Sequence, residues 1–148
     1  MSLMPIGLQI RPVVREDYHD VYRLYRQLVN PIQYSIENDF ARIFNNFLNA
    51  DNQEAFVATV HNRVIGFVTL YYFEVFHHSG QVASIQELIV TEEFRGRGVG
   101  QALVGFAKKQ TTERHCRGLE VATDLWQGGA KSFYKKCGFQ GRTVMIAT

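Results

Sequence analysis

This 148-residue chain is poor in cysteine and has no long apolar run and no internal repeat. Two cysteines, Cys116 and Cys137, make neither a disulfide framework nor a C-x-x-C metal or redox pair. A reduced, cytoplasmic setting is therefore the expectation. No apolar stretch reaches the ~18 residues of a membrane helix, and the first residues lack the basic-then-apolar pattern of a secretory leader. No membrane partner is expected. Met1–Pro5 carry no weight in this reading. The lack of repeats and low-complexity segments leaves one domain, residues 1–148, as the expected organisation.

What is present is globular. Hydrophobic residues make up 46%, charged residues 20% and aromatics 13%, enough to build a core and exclude a disordered or collagen-like chain. The net charge of +2 conceals a split at Phe94. Residues 1–94 hold 6 basic and 11 acidic side chains, a balance of −5, whereas residues 95–148 hold 10 basic and 3 acidic, a balance of +7. A basic last third suits a polyanionic partner.

Leu8–Val13 reads as a strand. Glu16–Val29 sets Tyr18, Val21, Tyr22, Tyr25, Leu28 and Val29 at helical spacing. After Asn30-Pro31, a second helix from about Ser35 to Leu48 places Ile36, Phe40, Ile43, Phe44 and Phe47 on one stripe, with Ser35 as N-cap. Glu54–Val60, the turn His61-Asn62-Arg63 and Val64–Phe73 predict a hairpin. The polar stretch with His77, His78, Ser79 and Gly80 leads to a strand over Val82–Val90. The last third alternates: helix Gly98–Arg114, strand Leu119–Thr123, helix Gly128–Lys136, strand Arg142–Ile146. Together these predict a mixed α/β (α+β) domain, not a doubly wound sheet.

The segment that carries chemistry is Arg95-Gly96-Arg97-Gly98-Val99-Gly100, between an Ile/Leu/Val-rich strand and a helix with the stripe Val99, Ala102, Leu103 and Phe106. Alternating glycines let the backbone approach a ligand closely. The helix start presents free N–H groups and the positive end of its dipole, and Arg95 and Arg97 add fixed cations. This is a site for a pyrophosphate. It is no Walker P-loop, which needs Gly-x-x-x-x-Gly-Lys-Ser/Thr, and its Gly-x-Gly-x-Gly spacing is wrong for a Rossmann turn. A glycine-rich turn with solvated arginines is the plainer alternative.

The motif resembles Arg/Gln-x-x-Gly-x-Gly/Ala of the GNAT superfamily of acetyl-CoA-dependent N-acetyltransferases. Ala130-Lys131-Ser132-Phe133-Tyr134-Lys135-Lys136-Cys137-Gly138-Phe139 is similar to that family's Ala-x-x-x-Tyr-x-x-x-Gly-Phe segment. The order of elements also fits, so the resemblance spans nearly the whole chain. It implies the acyl-CoA N-acyltransferase fold, acetyl-CoA as cosubstrate and direct transfer to an amine. Leu88, Ile89 and Val90 would meet the pantetheine arm, a backbone N–H there polarising the thioester carbonyl. Arg95, Gly96, Arg97, Gly98, Val99, Gly100 and Gln101 would hold the pyrophosphate. Gln127, where many relatives have asparagine, would bond the pantetheine amides. Lys131 and Lys135 would reach the nucleotide, unless they simply form a solvated basic face.

A free alkyl amine has a pKa of roughly 10, so a base or water chain must take a proton before attack. Many relatives carry a glutamate at the position of Gln86, which cannot act as a base. Glu87 is adjacent, yet neighbouring strand residues face opposite sides unless a bulge re-aims them. Its other reading is a carboxylate satisfied by the backbone or a cation. Tyr134 stands at the family's general-acid position, facing a thiolate of parent pKa near 8.5. Its other reading is an ordinary helix aromatic. Cys137 is expected to be structural.

The run Ser84-Ile85-Gln86-Glu87-Leu88-Ile89-Val90 and the upstream His77-His78 are similar to the aminoalkylphosphonate N-acetyltransferases within that family. A phosphonate dianion would call on Arg26, Arg42, Arg63, His77 or His78, and no resident metal is expected. The acidic first part instead suits a cationic amine such as a polyamine or aminoglycoside, or a protein amine. A non-catalytic CoA-binding regulatory module is the alternative that Gln86 leaves open. Nucleic acid is not an expected partner, because the basic third is better used on the nucleotide cosubstrate. A homodimer through edge strands near the C-terminus follows from family habit alone.

Overall fold

The computed structural model describes residues 4–28, 37–121 and 130–141. A mixed five-stranded sheet in the order β1-β2-β3-β4-β5 forms its centre. The strands are β1 (Leu8–Pro12), β2 (Gln53–Val60), β3 (Arg63–Val75), β4 (Gly80–Val90) and β5 (Leu119–Val121). The first four pair antiparallel in sequence, and β5 joins β4 in parallel. The helices are α1 (Tyr18–Leu28), α2 (Glu37–Asn49), α3 (Val99–Glu113) and α4 (Ala130–Lys136). Val29, Ser35, Ile36, Gln127 and the expected strand Arg142–Ile146 lie outside the described residues. No described helix is long and apolar enough to cross a membrane.

The β2–β3 connection tightens the sequence reading. Val60 pairs with Arg63, leaving a two-residue turn, His61-Asn62, with φ of 49° and 66°. Two successive left-handed residues give the twist that joins antiparallel strands most closely. Arg63 is therefore already strand, not turn.

Two apolar layers sandwich the sheet. On one face Val99, Leu103 and Ala107 of α3 meet Phe56, Ile65, Leu70 and Ile85. On the other, Val21 and Leu24 of α1 and Phe44 and Phe47 of α2 meet Val57, Phe67 and Ile89. Leu24, outside the expected stripe, is fully buried, whereas Ile43 is 38% exposed. The buried line of α2 runs through Phe44 and Phe47, with Phe40 packed beside it. Ile43 lies at its edge and turns toward water. Tyr18, Tyr22, Tyr25 and Phe40 close the α1–α2 contact with ring centroids 4.9 to 6.2 Å apart.

Candidate active site

The end of β4 enters the glycine turn under tight control. Thr91 donates its N–H to the Ile65 carbonyl at 2.8 Å, and a short 3-10 turn covers Glu92–Phe94. Gly96 and Gly98 have φ of +74° and +83°, the left-handed region where a side chain costs roughly 1–2 kcal/mol. Gly98 caps α3 with no side-chain hydrogen bond. The N–H groups of Val99, Gly100 and Gln101 thus open the helix without a side-chain cap, at the positive end of its dipole. Gly100 serves packing: a Cβ there would stand 3.1 Å from the Phe133 ring of α4.

The two arginines differ. Arg95 turns back, its Nε donating to the Val90 carbonyl at 2.9 Å. The Arg97 guanidinium lies 5.2 Å from the Phe94 ring centroid. Arg63 approaches that ring at 5.9 Å and forms a two-pronged pair with Glu93 at 2.8 and 3.1 Å. Among the described residues β5 pairs with β4 over Ala83–Ile85. Beyond Ile85, along Leu88, Ile89 and Val90, that edge of β4 carries no strand among the described residues.

The opposite side of β4 shows the feature on which Glu87 depended. Val68 pairs with Leu88 but Leu70 pairs with Ile85, so Gln86 and Glu87 together oppose Thr69. This two-against-one register is a β-bulge. The core layers record its effect: Ile85 belongs to the α3 layer, whereas Ile89 belongs to the α1–α2 layer. Four residues of regular strand would keep both on one face. Gln86 and Glu87 consequently both face α1 and α2. Gln86 donates its Nε2 to Ser84 Oγ at 2.9 Å. Thr69 Oγ1 donates to Glu87 Oε2 at 2.7 Å and accepts the Glu87 N–H at 3.0 Å.

Burial pushes the Glu87 carboxyl above its ordinary range, with the Thr69 hydrogen bond pulling it partly back. Tyr71 lies on the same face, its ring edge-on to Phe47 at 5.2 Å. Its hydroxyl is pushed up to about 12 by burial and by the negative charge of Glu87. Tyr134 of α4 packs edge-on to Phe133 and Phe139, at 5.1 and 5.7 Å. Burial, with Cys137 adding to it, pushes its hydroxyl up to about 12 as well. Burial also raises the Cys137 and Cys116 thiols, which favours inert thiols at both positions. Lys131 and Lys135 are exposed on α4.

Among the phosphonate-binding candidates, Arg63 stands apart from His77 and His78. Arg63 opens β3 while His77 and His78 follow its far end, a separation on the order of 40 Å at the usual strand rise. The two histidine rings lie 4.5 Å apart and are exposed. Arg42 pairs with Asp39 at 3.9 Å, and Arg26 lies 5.9 Å from the Tyr22 ring centroid. Among the described residues no cluster of three His, Cys, Asp or Glu could hold a metal. Thr69 and Tyr71 carried no signal in the sequence, because strand register alone brings them to Glu87.

The structure thus brings together a glycine turn at the start of α3, the Leu88–Val90 end of β4 and a carboxylate re-aimed by the bulge. Residues 14–139 match the acetyltransferase (GNAT) family model, and the chain belongs to that family. It is an N-acetyltransferase with acetyl-CoA as cosubstrate and an amine as acceptor. It is 31% identical over 140 residues to an uncharacterized N-acetyltransferase of Methanocaldococcus jannaschii, covering 92% of this chain and 62% of that one. This chain therefore spans less than two-thirds of that relative's length. It is 28% identical over 141 residues to the aminoalkylphosphonate N-acetyltransferase of Salmonella typhimurium, covering 94% and 88%. The crystal structure of a transcriptional regulator from Bacillus halodurans shares the fold, with a TM-score of 0.85 at 21% identity over 95% of this chain and 98% of that one.

Proposed function

We propose that this enzyme acetylates the primary amine of a small molecule by direct attack, with Glu87 as base and Tyr134 as hydrogen-bond donor to the leaving sulfur. The bulge carries the reading, because it gives Glu87 the face that a regular strand would deny it. Acetyl-CoA supplies the thioester, and the backbone of Gly96 to Gln101, with Arg97, is suited to its pyrophosphate. Leu88–Val90 offer the pantetheine arm a strand edge that carries no strand among the described residues.

Glu87 Oε2 is held by Thr69, so Oε1 is the oxygen that takes a proton from the acceptor ammonium. A raised carboxyl pKa makes it a better match for that task than a solvated glutamate. The ammonium loses two protons in all: one is released through Glu87 to solvent, and the other balances the sulfur, which leaves as a thiol. Complete transfer from a phenol near 12 to a thiolate of parent pKa near 8.5 is uphill by roughly 5 kcal/mol. Tyr134 therefore assists by hydrogen bonding to the charge that develops on sulfur.

Aminoalkylphosphonates are the acceptor class supported by the relationship to the Salmonella enzyme. A second reading, a cationic polyamine or aminoglycoside, is favoured by charge. Among the described residues, burial and Thr69 are what act on the Glu87 carboxyl, with no neighbouring cation. A thiol-release screen over aminoalkylphosphonates, polyamines, aminoglycosides and peptides tests both readings. Turnover with a small amine is expected; turnover with peptides alone would contradict the small-molecule reading.

A further inference from the structure

We propose that Thr69 is a positioning residue for the transfer reaction, clamping the bulged residue Glu87 at both its backbone and its carboxylate so that one carboxylate oxygen stays open to the acceptor amine. The proposal rests on Glu87 being the base and adds how that base is aimed.

Three observations converge on Thr69. It is the single residue of β3 that opposes the pair Gln86 and Glu87. A bulge leaves one residue's N–H outside the regular ladder, and here the Glu87 N–H is taken up by Thr69 Oγ1 at 3.0 Å. The same hydroxyl spends its proton on Glu87 Oε2 at 2.7 Å. One oxygen thus satisfies the bulged backbone as acceptor and orients the carboxylate as donor. Valine has the same shape but offers neither function, and alanine would also leave a cavity. Serine keeps both.

Thr69 is 1% exposed, so the clamp is built into the sheet and cannot be replaced by solvent from its own side. Glu87 is only half-buried. Oε2 is occupied, while Oε1 accepts no hydrogen bond among the described residues, which leaves it the face that meets an incoming amine. The titratable group coupled to Glu87 is Tyr71 on the same strand as Thr69. With its hydroxyl near 12 it stays neutral throughout the working range. Gln86, from β4, is neutral and bonded to Ser84, and Phe47, from α2, brings only an apolar ring.

The test compares the intact protein with Thr69→Val, Thr69→Ser and Glu87→Gln, using acetyl-CoA and 2-aminoethylphosphonate or spermidine, whichever turns over. The Glu87 carboxyl is also titrated by carbon NMR in protein labelled at glutamate, a readout that needs no turnover. Loss of a hydrogen bond to the ionised form should move that titration up by about one pH unit in Thr69→Val. The acid limb of kcat/KM should move with it, and kcat at pH 7 should fall about tenfold with the KM for acetyl-CoA unchanged. Thr69→Ser should stay within about threefold of the parent. If Thr69→Val is folded and shifts neither the titration nor the limb, the proposal is overturned. If Thr69→Val does not fold, a Thr69→Ser carboxyl that titrates as though the hydroxyl were absent would overturn it. If Glu87→Gln keeps full turnover, the base assignment fails, whereas the NMR titration still judges the clamp.

Discussion

The two sides of β4 are built from different materials. At the end proposed for the donor, the materials are backbone: two left-handed glycines, a helix start without a side-chain cap and a stretch of β4 edge with no strand beside it among the described residues, with arginines placed around them. On the face proposed for the acceptor, side chains take that part, with Glu87, Thr69, Tyr71 and Gln86 gathered around a one-residue slip in register. A pyrophosphate and a pantetheine arm are the same in every reaction of the family, so a backbone cradle serves all of them. The acceptor varies, and side chains on a sheet face can change without disturbing that cradle. The charge split follows the same division: the basic third starts at Arg95, the first residue of the glycine turn, and the acidic part holds the helices and strands of the face proposed for the acceptor.

Substitutions on one side should leave the other intact. The largest effect is expected from Glu87→Gln, which should lower turnover by about 10²–10³-fold. Its affinity for acetyl-CoA, measured by calorimetry, should stay within about twofold. Gly98→Val should do the reverse. A branched side chain at φ +83° strains the start of α3 by about 1–3 kcal/mol. A lower melting temperature and roughly tenfold weaker acetyl-CoA binding are expected, with the order of preference among acceptors unchanged.

Tyr134→Phe should reduce turnover about tenfold with little change in acetyl-CoA affinity. Because the phenol keeps its proton up to about 12, the variant should also keep the parent's pH profile below pH 9. Unchanged turnover would remove Tyr134 from the mechanism. The smallest effect is expected from Arg63→Ala. Its pair with Glu93 is exposed, and such pairs contribute little to stability. Melting temperature and acetyl-CoA affinity should both stay close to those of the parent, which would show that the glycine turn does not depend on the Arg63–Glu93 pair.

The same contrast explains what could be read from sequence. Glycines at 96, 98 and 100 lie within a few residues of a strand and a helix, so their spacing exposes the turn before any fold is known. The β2–β3 turn was equally local, and only the place of Arg63 shifted. The acceptor side depends on contacts 18 residues apart between Thr69 and Glu87, and strand alternation alone would have turned Glu87 away from Gln86. A bulge has no fixed sequence mark, and only the pairing register with β3 reveals it. The edges of the helix stripes differ from the periodicity for a related reason: Leu24 and Ile43 are both apolar, and which is buried depends on how α1 and α2 lie on the sheet. Arg63, His77 and His78 are each candidates for a phosphonate by residue type alone, and the 13-residue strand between Arg63 and the two histidines is a tertiary fact that residue type does not carry.

The most direct measurement is the pH dependence of kcat/KM for the best acceptor, in the parent and in Glu87→Gln. Burial raises the folded-state pKa of Glu87, so the ionised base is lost as pH falls through a value above the ordinary carboxylate range. The parent should therefore show an acid limb falling tenfold per pH unit below that value, and Glu87→Gln should lose the break there, its low rate following instead the free-amine fraction of the acceptor, whose pKa is roughly 10. An acid limb that persists unchanged in Glu87→Gln would contradict the account.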